Sequence, residues 1–268
     1  MNQTSPTRIA ITGAGSGLGR AIALRYARDG ARVAVTDIDP ERADAVAGEV
    51  EAAGGESLAR ALDTRNEADY AALVDALTAA WGGVDVWVNN AGVAAAGTVA
   101  DTPEDDWRWL IDINLMGVVN GCRHALPLVR ASRGHVVNVA SFAAIASSPG
   151  MAAYNVVKAG VLSLSETLRG EEYDRGVGVS VVCPAFFQTN LMDNFRTHHP
   201  RQQQVLRKLM ERSPITADDV AEAVHAAVAG GRFMVIPNAT ERRQYWFKRL
   251  TPEGFFRAVL KATRGFTQ

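Results

Sequence analysis

The sequence predicts an α/β fold, namely a doubly wound parallel sheet of about seven strands with helices on both faces. Short apolar runs rich in β-branched residues alternate with helix-length amphipathic segments, a pattern typical of parallel sheets covered on both sides. The 268 residues, 47% of them hydrophobic, suffice for one large core. Because no repeat or linker interrupts the pattern, we expect one domain over 1–268, with an extension at 241–268.

The elements follow from local composition. The predicted strands, which are mainly apolar runs, are 8–12, 32–36, 57–62, 85–88, 134–140, 178–183 and 233–236. The predicted helices, which show helical spacing of apolar residues, are 21–30, 41–53, 67–81, 103–130, 151–173, 202–210 and 216–229. The segment 103–130 is expected to be one long helix, in which Pro127 can introduce a kink. The rest of 186–213 is predicted to be irregular.

Composition excludes several functional classes. The formal net charge of −1 gives no basis for nucleic-acid binding. The chain has two cysteines, Cys122 and Cys183, both in apolar surroundings, as expected for reduced thiols in a cytoplasmic protein. The residues before the first strand lack a basic segment followed by a long apolar one, so we expect no secretory signal, and no run of 18 apolar residues occurs. The histidines at 198, 199 and 225 lack metal-ligand spacing, so we expect no metal.

A glycine-rich turn, TGAGSGLG at 12–19, directly follows the first strand. Glycines allow backbone N–H groups to approach a pyrophosphate, and the dipole of the next helix favours the anion. Glycines also cap helices, but the strand before this turn and the helix after it favour a dinucleotide site. The expected cofactor contacts in the turn are Gly13, Ser16, Gly17, Leu18 and Gly19.

Asp37 ends the second predicted strand. A carboxylate at this position can accept hydrogen bonds from both hydroxyls of an adenosine ribose. No lysine or arginine lies inside the glycine turn, so a 2′-phosphate would meet a carboxylate without an obvious cation. The sequence therefore favours NAD over NADP. The alternative is that Asp37 only caps the turn before Pro40.

A tyrosine and a lysine, Tyr154 and Lys158, lie one helical turn apart on one face of a predicted helix. A lysine ammonium near a tyrosine favours the phenolate and lowers the tyrosine pKa from about 10. Ser141 ends the preceding strand-like run, so the three side chains can meet. A Tyr-x-x-x-Lys pair also occurs by chance on solvated helices, so its catalytic interpretation depends on its combination with Ser141 and the glycine-rich turn.

These motifs together resemble the short-chain dehydrogenase/reductase superfamily, over about residues 8–237. The matching features, in order, are TGAGSGLG, Asp63 after the third strand, the NNAG at 89–92, Asn114 in the long helix, Ser141, YxxxK and Pro184 after the sixth strand. The resemblance implies a Rossmann-like single-domain fold. It also implies a catalytic tetrad of Asn114, Ser141, Tyr154 and Lys158.

The resemblance assigns a role to each member of the tetrad. Tyr154 is expected to be the general acid/base, and Ser141 to hold and polarise the substrate oxygen. Lys158 is expected to bind the nicotinamide ribose and to lower the tyrosine pKa. Asn114 is expected to hold a water molecule that relays protons to bulk solvent.

The resemblance also implies contacts with the rest of the cofactor. Asp63 is expected at the adenine, Asn90 at the adenosine ribose and Thr189 at the nicotinamide amide; Asn89 can instead be a purely structural turn residue. Other expected contacts are Ala91, Gly92, Tyr154, Lys158 and Pro184. The chain departs from the family after Pro184, where Ala185 replaces the usual glycine and lacks its freedom to adopt positive φ.

The substrate is expected at the carboxyl ends of the strands, between 93–98, 142–149 and 185–213. The candidate lining residues are largely apolar, namely Phe142, Met151, Phe186, Phe187, Leu191, Met192 and Phe195. We therefore expect an oxidoreductase that transfers a hydride between NAD and an apolar secondary alcohol or ketone. The alternative is a non-catalytic NAD-binding sensor or scaffold, which would be expected to lose Tyr154 or Lys158.

The tail at 241–268 differs from the rest of the chain. It has seven basic residues, two acids and interleaved aromatic residues. We favour a tail that packs on a neighbouring subunit or over the active site; the alternative is weak contact with a membrane surface. The family resemblance also implies a homodimer or homotetramer that pairs the helices at 104–130 and 151–173.

Overall fold

The computed structural model describes residues 6–197 and 200–264. Two of the histidines considered above, His198 and His199, lie outside the described residues, as do 1–5 of the N-terminal segment and 265–268 of the tail. No helix in the described part of the chain is long and apolar enough to cross a membrane.

A seven-stranded, fully parallel sheet forms the centre of the domain, and the predicted fold class is confirmed. Its strands are β1 (Arg8–Thr12), β2 (Arg32–Asp37), β3 (Glu56–Ala61), β4 (Val86–Asn89), β6 (His135–Val139), β7 (Gly178–Val182) and β9 (Met234–Val235). Their spatial order is β3-β2-β1-β4-β6-β7-β9. Two further short strands, β5 (Ala95–Ala96) and β8 (Arg196–Thr197), form a separate parallel pair that the sequence did not predict.

Helices cover both faces of the sheet. In chain order they are α1 (Gly17–Ala27), α2 (Pro40–Ala52), α3 (Glu67–Trp81), α4 (Glu104–Leu110), α5 (Gly117–Ser132), α6 (Ala143–Ala146), α7 (Ala152–Glu172), α8 (Pro200–Glu211), α9 (Ala217–Ala229), α10 (Ala239–Leu250) and α11 (Pro252–Thr263). The tail thus forms two helices, whereas the sequence suggested a helix there only under the membrane-surface alternative. The predicted N-cap Thr216 accepts a hydrogen bond from the backbone N–H of Asp219 and forms a capping box.

The core has two layers because side chains alternate across the sheet. On one face Ile9 and Ile11 pack with residues of α1, α2 and α9. On the other face Ala10 and Trp87 pack with residues of α3, α5 and α7. Burial on both faces explains why the strands are continuous apolar runs.

The predicted single helix at 103–130 is helical throughout but not uniformly α-helical. A π-helical segment, Ile111–Met116, lies between α4 and α5. Pro127, the predicted kink position, lies inside α5. π segments insert one extra residue and often occur at functional sites. This one contains Asn114, a member of the expected tetrad.

Candidate active site

A cleft of about 1110 Å³ opens at the carboxyl edge of the sheet. It lies where the strand order reverses, since β1 neighbours both β2 and β4. Ligands of open α/β sheets bind at this topological switch point. Most of the predicted site residues line the cleft, namely Gly13, Ser16, Gly17, Leu18, Asp37, Asp63, Asn90, Ala91, Gly92, Ser141, Tyr154, Lys158, Pro184 and Thr189.

The glycine turn forms a tight cradle beside this cleft. Gly13 has φ +62°, and a Cβ there would lie 2.8 Å from the Ala91 Cα atom. Gly19 does not line the cleft, and its cofactor contact stays a prediction. A Cβ at Gly19 would lie 2.3 Å from the Gly13 carbonyl oxygen. Its role is therefore close packing of helix against turn, for which only glycine leaves room.

The N-terminus of α1 offers free donors to this cradle. Ser16 is its N-cap, but the Ser16 side chain makes no capping hydrogen bond, and the first turn has no acid. The first backbone N–H groups of a helix need an external partner, and the helix dipole favours an anion. The Asn90 amide donates to the carbonyl oxygens of Thr12 and Gly13, at 2.9 Å each, which holds the turn in place. The residues present therefore fit a dinucleotide pyrophosphate.

The Asp37 carboxylate is oriented at the end of β2. Its Oδ2 accepts a hydrogen bond from the Gly15 N–H at 3.0 Å, and its Oδ1 accepts one from the Asp39 N–H at 3.1 Å. Each carboxylate oxygen keeps a further acceptor site for a ribose hydroxyl. The N-cap of α2 is Asp39, whose side chain accepts hydrogen bonds from the N–H groups of Glu41 and Arg42. The bond from the Asp39 N–H shows that Asp37 does cap the turn before Pro40, but the bond from Gly15 also joins it to the glycine turn; its contact with a ribose stays a prediction.

Two arginines that were not predicted as site residues lie at this end of the cleft. Arg42 and Arg65 both line it, although neither lies in the glycine turn. Arg42 pairs with Asp39 at 3.2 Å, and Arg65 pairs with Asp63. The hydrogen bond from Arg65 also lowers the pKa of Asp63. Both cations are thus paired with carboxylates, and Asp37 adds a third carboxylate to this end of the cleft.

Ser141, Tyr154 and Lys158 meet on the opposite side of the cleft, as predicted. Ser141 follows β6, whereas Tyr154 and Lys158 lie one turn apart on the first turns of α7. The Ser141 hydroxyl lies close enough to Tyr154 to lower the pKa of the Tyr154 hydroxyl, and its Oγ accepts a hydrogen bond from the Ala143 N–H at 3.1 Å. The Lys158 ammonium is 5.8 Å from the centroid of the Tyr154 ring and donates to the Val139 carbonyl oxygen at 2.9 Å. A strand end and a helix start therefore assemble the three groups.

The expected lowering of the tyrosine pKa is not found in this structure. Burial raises the pKa of Tyr154 to about 12, and the nearby Ser141 hydroxyl opposes this shift only in part. Burial also lowers the pKa of Lys158 to about 8. Removal from water penalises the charged form of both groups, and this is the largest cause of both pKa shifts. The four-residue spacing shows that a lysine charge lies near the tyrosine, but it does not show that both side chains are buried.

Asn114 is buried but does not line the cleft. Its Oδ1 accepts a hydrogen bond from the Val93 N–H at 2.8 Å, and its Nδ2 donates to the Val93 carbonyl oxygen at 2.7 Å. A Cβ at Gly92 would lie 3.0 Å from the Asn114 Oδ1. The side chain thus holds the loop that forms the floor of the cleft. Its expected role in proton relay stays a prediction.

The two neighbouring asparagines at the end of β4 have different environments. Asn90 lines the cleft, whereas Asn89 is buried in a polar network. The Asn89 Nδ2 donates to the Asn138 Oδ1 at 2.8 Å, and the Asn138 Nδ2 donates to the Ser165 Oγ at 3.0 Å. Asn89 therefore has a structural role, which links β4 through β6 to α7.

The walls next to Tyr154 are mainly apolar. All seven predicted lining residues, Phe142, Met151, Phe186, Phe187, Leu191, Met192 and Phe195, line the cleft. Ala185 does not require a glycine conformation, because Arg133 and Ser147 are the non-glycine residues with positive φ in the described ranges. A further wall comes from the tail, through Phe247, Phe255, Ala258, Val259 and Ala262. The tail thus packs over the cleft, one of the two placements favoured from the sequence.

A family model described as short chain dehydrogenase matches residues 7–200. The chain therefore belongs to the short-chain dehydrogenase family of oxidoreductases, which confirms the resemblance. It is similar to a solved short-chain dehydrogenase/reductase from Burkholderia phymatum in complex with NAD, with 32% identity and a TM-score of 0.84 over 93% of this chain and 96% of that one. This likeness supports a nicotinamide cofactor.

Curated relatives agree with this family membership. The chain is 37% identical over 233 residues to the probable oxidoreductase EphD of Mycobacterium tuberculosis, across 83% of this chain and 39% of that protein. It thus spans about two fifths of the length of this relative. It is 35% identical over 185 residues to the 3-oxoacyl-[acyl-carrier-protein] reductase FabG of Staphylococcus aureus, across 68% of this chain and 75% of that protein.

Proposed function

We propose that this protein is an NAD-dependent oxidoreductase that interconverts an apolar secondary alcohol and its ketone. The observation that carries the proposal is the meeting of Ser141, Tyr154 and Lys158 in a cleft that also contains the glycine turn. A nicotinamide cofactor, if bound in this cleft, would supply or accept the hydride. The chain must then bind the substrate oxygen and move one proton.

Tyr154 is the proposed general acid/base. Tyr154 and Ser141 line the same cleft, and Ser141 lies close enough to lower the pKa of Tyr154, so a substrate oxygen that contacts both hydroxyls would be held and polarised. In the oxidation direction Tyr154 takes the hydroxyl proton, and in reduction it returns a proton to the carbonyl oxygen. Lys158 favours the phenolate through its positive charge. Asn114 supports this arrangement as a positioning residue, through the Val93 backbone.

The proposed substrate class follows from the walls of the cleft. The side of the cleft near Tyr154 is lined by phenylalanine, methionine, leucine, valine and alanine side chains. Apolar walls with few polar groups bind apolar ligands, because burial of apolar surface drives the binding. An apolar alcohol or ketone therefore fits better than a phosphorylated sugar.

The proposed preference for NAD follows from the charges at the adenosine end. Asp37 ends β2 at the edge where a ribose would bind, and the two nearby arginines are already paired with Asp39 and Asp63. A 2′-phosphate would therefore meet net negative charge, and juxtaposed like charges cost several kcal/mol. NAD lacks this phosphate.

We also propose a homodimer or homotetramer. Met116 and Val156 are exposed apolar residues on the helical segment at 104–132 and on α7, respectively. Pairing of these helices between subunits would remove both side chains from water.

We predict that NAD binds about tenfold or more tightly than NADP, because like charges repel at Asp37. Asp37→Ala should reduce the difference in affinity between NAD and NADP. Asp44→Ala, which removes an exposed carboxylate on α2, should leave this difference unchanged. Titration of both cofactors by fluorescence quenching measures these affinities. Equal or tighter binding of NADP to the unmodified protein would contradict the proposal.

We predict that Tyr154→Phe lowers turnover by about 10²–10⁴-fold while NAD binding survives, because the ring stays and only the proton carrier is lost. The rate of oxidation should rise with pH as Tyr154 loses its proton, and this pH-dependent rise should be absent from the pH–rate profile of the variant. Absorbance at 340 nm with a panel of apolar alcohols and NAD provides the measurement. Tyr173→Phe, at an exposed tyrosine, is the matched control.

Two results would contradict this assignment. A Tyr154→Phe protein with near-normal turnover would exclude Tyr154 as the acid/base. A protein that binds NAD but converts no alcohol or ketone would favour the sensor or scaffold alternative.

We predict a dimer or tetramer in sedimentation equilibrium at micromolar concentration. Val156→Glu should shift the equilibrium towards monomer, since it places a charge in an apolar contact. Val99→Glu, at an exposed loop valine, should not. A monomeric unmodified protein would refute the proposed assembly.

A further inference from the structure

The two tail helices form a hairpin that has one face on the cleft. On α11 the inward residues recur at helical spacing and line the cleft: Phe255, Ala258, Val259, Ala262 and Thr263. The α10 helix is held to the body by Lys248, which donates to the Ile145 carbonyl oxygen, and by Arg242, which donates to the carbonyl oxygens of Ile236 and Pro237. The hairpin is therefore an ordered wall of the substrate site.

The outer face of the hairpin exposes large apolar side chains. Trp246 is 59% exposed and Leu250 76% exposed, four residues apart on α10. Phe256, 54% exposed, and Leu260 have the same spacing on α11. These four are among the thirteen large hydrophobic residues exposed in the described part of the chain; a fifth in the tail, Phe247, lines the cleft. Such a concentration marks an interaction surface, whereas scattered exposed residues do not.

Cations surround these apolar side chains. The basic residues in the tail are Arg242, Arg243, Lys248, Arg249, Arg257, Lys261 and Arg264. The acids are Glu241, which lies against the cleft, and Glu253. Within 6–197 and 200–264, none of these seven cations forms an ion pair. Arg242 and Lys248 are bonded to the body, but the other five cations are exposed. The exposed surface of the hairpin is thus apolar and positively charged, although the chain as a whole has a net charge of −1.

We propose that this outer face binds the surface of an anionic lipid bilayer. Interfacial helices place Trp, Phe and Leu in the boundary between headgroups and acyl chains, while Lys and Arg meet anionic headgroups. A second copy of the hairpin fits less well, because a two-fold contact would set each cationic patch against itself. The helices lie on the membrane and do not cross it.

The proposal indicates from which side an apolar substrate would enter the cleft. Another face of α11 lines the same cleft as Tyr154. An apolar substrate partitions into a bilayer, so a hairpin that lies on lipid would place the cleft next to the substrate reservoir. This part of the inference rests on the apolar substrate class proposed above.

Co-sedimentation with lipid vesicles tests the proposal without substrate or turnover. We expect binding to phosphatidylcholine vesicles that contain phosphatidylglycerol, weaker binding without it, and weakening by salt. The triple variant Arg243→Gln/Arg257→Gln/Lys261→Gln should bind on the order of a hundredfold more weakly, at about fivefold for each charge. Its control is Arg28→Gln/Arg60→Gln/Arg212→Gln, which removes the same charge from exposed positions elsewhere.

A second pair of variants tests the apolar contribution. Trp246→Ser/Phe256→Ser should also lose vesicle binding, whereas Val99→Ser/Tyr173→Ser, at exposed positions outside the hairpin, should not. All four variant proteins should keep their turnover on a water-soluble ketone, so loss of vesicle binding can be separated from loss of the enzyme.

Two outcomes would overturn the proposal. One is equal vesicle binding by the hairpin variants and their controls. The other is absence of vesicle binding by the unmodified protein; a change of oligomeric state in the hairpin variants would then indicate a contact between copies of the chain.

Discussion

The burial of Lys158 beside Tyr154 is the constraint on which the candidate site depends. An ammonium that is only 4% exposed loses most of its hydration, a cost that proteins reduce through hydrogen bonds or neutralisation. Here the carbonyl oxygen of Val139, at the end of β6, accepts one hydrogen bond, and burial lowers the pKa of Lys158 to about 8. Perturbed, buried ionisable groups in a cleft are typical of functional sites. The end of β6 supplies this carbonyl oxygen, and the start of α7 carries both residues, so these two elements hold the pair in place.

The opposite side of the cleft is held by backbone geometry more than by side-chain charge. Gly13 and Gly19 allow a turn, a helix and the loop after β4 to approach closely, and Asn90 and Asn114 hold that loop at both ends. This leaves helix N–H groups free for an anion. Rigid elements thus position both the dinucleotide cradle and the reacting groups. The reacting groups therefore keep the orientation that the reaction needs.

The main sheet and the central site residues were predictable because they depend on local pattern. Strands buried on both faces are continuous apolar runs, and residues that directly follow them meet at one edge. The β5–β8 pair was not predictable, since two-residue strands leave no periodic signal. Arg42 belongs to no sequence motif, and only the fold brings α2 to the cleft beside Gly15. The raised pKa of Tyr154 was not predictable either, because burial is a tertiary property that the spacing of two residues does not show.

The most direct test of this account is the pKa of Tyr154 with and without cofactor. Tyrosine labelled with ¹³C at Cζ gives an NMR signal that follows deprotonation, and Tyr154→Phe identifies the signal. We expect a pKa of about 12 in the free protein. With NAD bound, the positive nicotinamide ring should lower this pKa by about 1 to 3. A free protein in which Tyr154 already titrates near neutral pH, or a pKa that NAD leaves unchanged, would contradict the account.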